Sequence, residues 1–98
     1  LSLRKAIEIN SNLAEAHLIL GVISRDLGKL KDAELSTHKA IELNSNYANS
    51  HLNMGKILRD LGKLKDAELS IRKAIDLNPD LLNAYTSLGI VLKDLEKL

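Results

Sequence analysis

The chain has 98 residues, 45% hydrophobic and 28% charged with one Pro and five Gly, a balance that reads as helical and globular and excludes disordered or fibrous classes. A formal net charge of +1 gives no bias toward nucleic acid or a membrane surface, and the absence of Cys excludes disulfides and thiolate chemistry. No apolar run approaches membrane-spanning length, no signal-peptide pattern opens the chain and no initiator Met is present, so it reads as one small domain from a longer protein.

A period of 34 residues organises the whole chain, because Arg25 to Ser36 recurs without a change at Arg59 to Ser70. Such a period marks stacked units that bind something rather than react with it. In chain order, residues 1–13 read as the second helix of a truncated repeat, since Ser2 to Asn10 align with Ser36 to Asn44 and with Ser70 to Asn78. Residues 14–47 and 48–81 read as full repeats, and 82–98 as the first helix of another. Within a repeat the apolar residues fall at helical spacing, at Ala16, Leu20, Ile23 and Leu27 and then at Ala33, Thr37, Ala40, Ile41 and Leu43. Gly28 and Gly62 stand where a helix end needs positive φ, so the two helices of a repeat are antiparallel neighbours. Asn12, Asn46 and Asp80 precede the first helices and are expected to cap them. Pro79 follows a completed helix, and Glu96 occupies the position of Gly28 and Gly62, which predicts that the last helix runs on.

Small residues recur where helices are expected to cross: Gly21, Gly55 and Gly89 in first helices, and Ala6, Ala33, Ala40, Ala67 and Ala74 in second ones. Together with His17, Leu20, Gly21, Ala33, then His51, Met54, Gly55, Ala67, Pro79, then Tyr85, Leu88, Gly89, this pattern resembles the tetratricopeptide repeat family over all 98 residues. It departs in bulk: Trp and Phe are absent, Thr37 sits where an aromatic is usual, and Ser11 and Ser45 replace proline. The resemblance implies an all-α, right-handed superhelical solenoid of antiparallel helix pairs, with five helices in this chain.

It also implies a concave face lined by the first helix of each repeat, which grips a peptide or partner segment. By position that face holds Glu15, Leu18, Ile19, Val22 and Arg25, then Asn49, Leu52, Asn53, Lys56 and Arg59, then Asn83, Thr86, Ser87, Ile90 and Lys93. The row Arg25, Arg59, Lys93 keeps step with Asp26, Asp60, Asp94. Two readings of these rows stay open, solvated charges at helix ends or cations that hold ligand carboxylates. One subclass of the family clamps the C-terminal carboxylate of chaperones with Lys and Asn in the first repeat, Asn in the second, and Lys and Arg in the third. Leu18 and Val22 stand at the first pair and Asn83 and Ser87 at the last, so only Asn53 fits and the clamp is not implied. Asn53 also resembles a rung of the asparagine ladder in glycosyltransferase-linked repeats, which Ile19 and Ser87 break on both sides.

No phosphate-cradling glycine loop, paired-histidine zinc motif or nucleophile with a spaced base occurs, so no catalytic residue, cofactor or metal site is expected. His17 and His51 are equivalent and about ten ångströms apart in a stack, too far for one metal ion, so ring packing is the reading preferred. Lysines at the turns are interleaved with Asp32, Glu34, Asp66 and Glu68, which argues against a nucleic-acid surface. The expected partner is a protein or peptide. Alternatives are a substrate-recruiting region of a larger enzyme, such as a glycosyltransferase, and a structural segment that self-assembles. For the last, apolar residues at the two open ends, Leu1, Leu3 and Ile7 against Leu88, Val91, Leu92, Leu95 and Leu98, are expected to pair copies into a homodimer or head to tail.

Overall fold

The computed structural model describes residues 2–98, and Leu1, one of the residues expected at an open end, lies outside them. Five helices follow one another: α1 (Leu3–Asp26), α2 (Leu30–Leu43), α3 (Ala48–Asp60), α4 (Leu64–Leu77) and α5 (Leu82–Glu96). They stack into an elongated body of 52 × 29 × 17 Å, with α1 against α2, α3 against α4, and α5 closing on α4. The architecture is an all-α solenoid of antiparallel pairs.

The turns inside each pair follow from glycine. Gly28 and Gly62 take φ of 77° and 80°, a region that a Cβ would disfavour. The Gly28 N–H donates to the Arg25 carbonyl at 2.9 Å and the Lys29 N–H to the Ser24 carbonyl at 2.8 Å, satisfying the last carbonyls of α1. Gly62 and Lys63 repeat the arrangement on Arg59 and Leu58. At Glu96 no positive-φ turn forms; α5 includes Glu96 and ends there, with Lys97 as its C-cap.

The joints between pairs differ from expectation. Neither Asn46 nor Asp80 caps a helix; the N-cap residues of α3 and α5 are Tyr47 and Leu81, without side-chain hydrogen bonds. The capping chemistry lies earlier, where the Asn44 side-chain oxygen accepts from the Asn46 N–H at 3.2 Å and that of Asn78 from the Asp80 N–H at 3.1 Å. These local turns reverse the chain while the ring of the next helix ties them down. His51 Nε2 donates to the Ser45 carbonyl and the Tyr85 hydroxyl to the Pro79 carbonyl, each at 2.8 Å.

Asn12 caps nothing because it sits inside α1. Taken one by one, the sequence boundaries would give six helical segments; the structure has five because residues 3–13 and the first helix of the next repeat are one 24-residue helix. Its start is capped by Ser2, whose hydroxyl accepts from the Lys5 N–H at 3.1 Å. At the later joints the helix before the turn is already held by its own pair partner. Residues 3–9 have no such partner among the described residues, and continuing the i→i−4 ladder is then the cheaper course.

The consequence is an uncovered face. Leu20, Ile23 and Leu27, which fall on the apolar helical spacing, are 51%, 50% and 66% exposed, whereas Met54 and Ile57, the counterparts of Leu20 and Ile23, are 8% and 0% exposed. The core proper runs from Thr37 through Ile57 and Ile71 to Val91, floored by the fully buried Ala33, Ala40, Ala67 and Ala74. Val91 is thus a core residue, not an end-pairing one, and Leu88 and Leu95 pack half-buried against the same cluster. Leu3, Ile7, Leu92 and Leu98 are exposed.

Close crossing holds each pair together. A Cβ added at Gly21 would run into the Thr37 hydroxyl, and one at Gly55 into the Ile71 side chain and to 3.3 Å from the Ala67 carbonyl oxygen, whereas at Gly89 nothing lies within 4 Å. Gly55→Ala is therefore expected to destabilise the fold by ~1–3 kcal/mol through overpacking. Gly89→Ala should be neutral or stabilise by up to ~1 kcal/mol, its helix propensity being freely expressed. Urea unfolding of the two variants beside the parent chain checks the contrast.

Candidate functional site

The second half of α1, then α3 and α5, line up side by side and present one face each. Leu18, Val22, Asn49, Leu52, Asn53, Lys56 and Asn83 line a half-open recess of about 190 Å³ between α1, α3 and α5. Arg25, Lys56, Arg59, Ser87 and Ile90 line a neighbouring recess of about 170 Å³, floored by Gly55, Ile71 and Val91. Lys56 belongs to both. Glu15 lies apart, with Ser11, Ala14, Asn44 and Tyr47 around a third hollow at the joint of α2 and α3. Ile19, Thr86 and Lys93 line none of the three.

The charged rows have a function that neither sequence reading contained. Arg25 Nε donates to the Asp60 carboxylate and Arg59 Nε to that of Asp94, both at 2.7 Å, so each arginine reaches the aspartate one repeat further on. The rows are a staple between consecutive first helices, and both arginines are neutralised. Lys56 and Lys93 make no ion pair among the described residues. Glu34 makes a second link between repeats, at 3.6 Å from Lys63. On α4, away from the recesses, the hydrogen bond from Arg72 holds the Glu68 carboxyl below its usual range, assisted by Lys65.

Asn53 is buried, and its amide donates to the Thr37 hydroxyl at 3.0 Å. That bond explains why a threonine stands where an aromatic is usual. Thr37 is small enough to lie under Gly21 and polar enough to satisfy Asn53, and no buried side-chain polar atom among the described residues lacks a partner. Tyr47 was not foreseen; its hydroxyl accepts from the Asn49 amide at 3.1 Å, which fixes one groove asparagine from outside the groove. The signal available was its position just before a first helix, where the other joints carry Leu13 and Leu81. Among the described residues no group of three His, Cys, Asp or Glu is placed to hold a metal ion, and no helix is long and apolar enough to cross a membrane.

Residues 48–81 match the tetratricopeptide repeat family. The TPR domain of Arabidopsis OM64 superposes with a TM-score of 0.86 at 22% identity, over 90% of this chain and 73% of that one. MamA superposes with 0.82 at 27% identity over 88% and 50%, so the chain spans half the length of that relative. The TPR2B domain of yeast Sti1, solved as a complex with pHsp70, gives 0.83 at 19% identity over 86% and 67%. No curated protein matches the chain. One repeat, residues 48–81, thus matches the tetratricopeptide repeat family in sequence, and the solenoid as a whole has the fold of tetratricopeptide-repeat domains.

The staple makes a quantitative prediction. Its side chains are between 27% and 40% exposed, the range in which one pair contributes ~0.5–1 kcal/mol at low salt. Asp60→Ala is expected to lower stability by that amount in dilute buffer, and most of the difference should disappear in ~1 M NaCl, where the screening length falls to about 3 Å. Urea unfolding at the two salt concentrations reads it.

Proposed function

We propose that the chain is a protein-interaction module that takes an extended peptide segment along the concave face. The observation that carries this reading is the charge state of the groove. With Arg25 and Arg59 spent on Asp60 and Asp94, Lys56 is the cation left at the centre of an apolar and amide-lined channel. The ligand this favours is a mostly aliphatic segment with a single acidic side chain. Leu18, Val22, Leu52 and Ile90 supply the apolar contact, Asn49 and Asn83 the amides that pair with a peptide backbone, and Lys56 the partner for the carboxylate. The likeness in fold to a Sti1 domain solved with pHsp70 supports a peptide as the class of ligand. It does not carry that ligand over, since Leu18 and Val22 remove the side chains a carboxylate clamp requires.

On this reading the chain holds a partner and does no chemistry of its own. As a recruiting region of a larger enzyme it would use the same groove, and a catalytic domain elsewhere in the parent protein would distinguish the two roles.

Selection from a random dodecapeptide display library tests the proposal. The enriched sequences should carry one Asp or Glu among aliphatic residues, and Lys56→Ala should weaken a selected peptide about tenfold, the size of one lost charge-assisted contact. Val22→Asp should abolish binding. Selected peptides that are basic, or that bind both variants as well as the parent, would sink it.

A further inference from the structure

The uncovered face of α1 is an ordered stripe. Ala6, Ile9, Leu13, Ala16, Leu20, Ile23 and Leu27 recur at alternating intervals of three and four residues, the spacing of a two-helix seam, and Ile9, Leu13, Leu20, Ile23 and Leu27 are all exposed. One repeat later the same positions are covered: Ala40 on α2 and Ser50, Met54 and Ile57 on α3 are buried, Leu43 is half-buried, and α2 packs on α3. In α1 both halves of that interface stand on one straight helix and cannot face each other.

We propose that a second copy of the chain covers this stripe, its α1 running antiparallel to the first. An antiparallel partner brings the α2-like half of each copy onto the α3-like half of the other, twice by symmetry. With the symmetry axis between residues 14 and 15, the layers are Ala6 on Ile23, Ile9 on Leu20 and Leu13 on Ala16, each set against its counterpart in the other copy. Two of the three layers put a large residue on a small one, as close helix packing needs. The same register sets Lys5 beside Asp26 of the second copy at both ends. Asp26 makes no ion pair among the described residues, and Lys5 makes only a 3.9 Å contact with Glu8. A parallel pairing offers no such match of charges. The stripe also lies on a different side of α1 from the groove residues Leu18, Val22 and Arg25, so pairing leaves the concave face open and does not rest on the peptide-binding proposal.

The competing arrangement is internal. Asn10, Ser11 and Asn12 repeat the residues that turn the chain at Asn44, Ser45 and Asn46, and a turn there would lay residues 3–9 on the chain's own 13–20 in a monomer.

Light scattering on a size-exclusion column, followed by sedimentation equilibrium, decides between them. A mass twice that of the chain is expected at tens of micromolar, and Leu20→Lys should weaken the association at least about tenfold. Lys5→Glu and Asp26→Lys should each weaken it about two- to tenfold, and the double variant should regain the parent's affinity. These two sites are exposed, so the cycle stays readable even if Leu20→Lys disturbs the helix, which circular dichroism would report. A monomer up to about 1 mM overturns the proposal. So does a dimer that survives Leu20→Lys but not Leu92→Lys, or a double charge variant as weak as the singles.

Discussion

The approach of two helix axes at a glycine is the contact on which the rest of the molecule depends. Gly21 lets α1 settle onto Thr37, and Gly55 lets α3 settle onto Ile71, with the fully buried Ala33 and Ala67 beneath. At that separation a single side chain fills the crossing, so each pair becomes a rigid unit whose outer faces are set by rotation about one point. Everything further out inherits its position: α1, α3 and α5 present the groove because their backs are pinned against α2 and α4. The glycines at the turns have a different part, ending helices cleanly, and Gly89 has neither task within these residues.

How far the sequence carries depends on whether a feature is set by periodicity or by rotation. The 34-residue period, the turn glycines and the small residues at the crossings are properties of spacing, and the helix pairs follow from them. The charged rows are different. Arg25 and Asp26 are adjacent in sequence, but side chains one residue apart point about 100° from each other on a helix, and so do not pair. That Arg25 meets Asp60 depends on how consecutive first helices are rotated in the stack, which spacing alone does not specify. The capping residues failed for a related reason. Asn44 and Asn46, or Asn78 and Asp80, are equally good acceptors on paper, and only the extended backbone at Asn44 and Asn78 selects the earlier one. Val91 was misplaced because the open end of a stack still has one face turned inward.

The staple also shapes what the groove can recognise. A row of free arginines would make the concave face a general trap for acidic segments, held by long-range attraction and little else. Pairing each arginine with the next repeat's aspartate removes that field, leaving a local cation, amides and aliphatic floor. Under the proposed peptide-binding role, recognition would rest on short-range contacts, which discriminate by shape and by the penalty of an unmatched buried group. The same two ion pairs thus join consecutive first helices and set the charge that the concave face presents.

The first joint shows how little separates a turn from a helix in such a chain. Asn10-Ser11-Asn12 and Asn44-Ser45-Asn46 are the same tripeptide, followed at the same distance by His17 and His51. One is helical and the other reverses the chain, with the histidine tied to the serine carbonyl. Propensity contributes through the flanks, since Leu13-Ala14-Glu15-Ala16 favours helix more than Tyr47-Ala48-Asn49-Ser50, and packing adds to it. The packing difference lies in what the preceding helix gains by turning back: at the second joint α2 keeps its packing on α1 and adds packing on α3, whereas residues 3–9 would exchange a continuous helical ladder for a single new contact. Helix continuity is favoured whenever the apolar surface recovered by the turn is small or can be buried elsewhere. Arrays built from near-identical repeats therefore carry a conformational option at every joint, and the neighbours on either side, rather than the joint residues, decide which state is occupied.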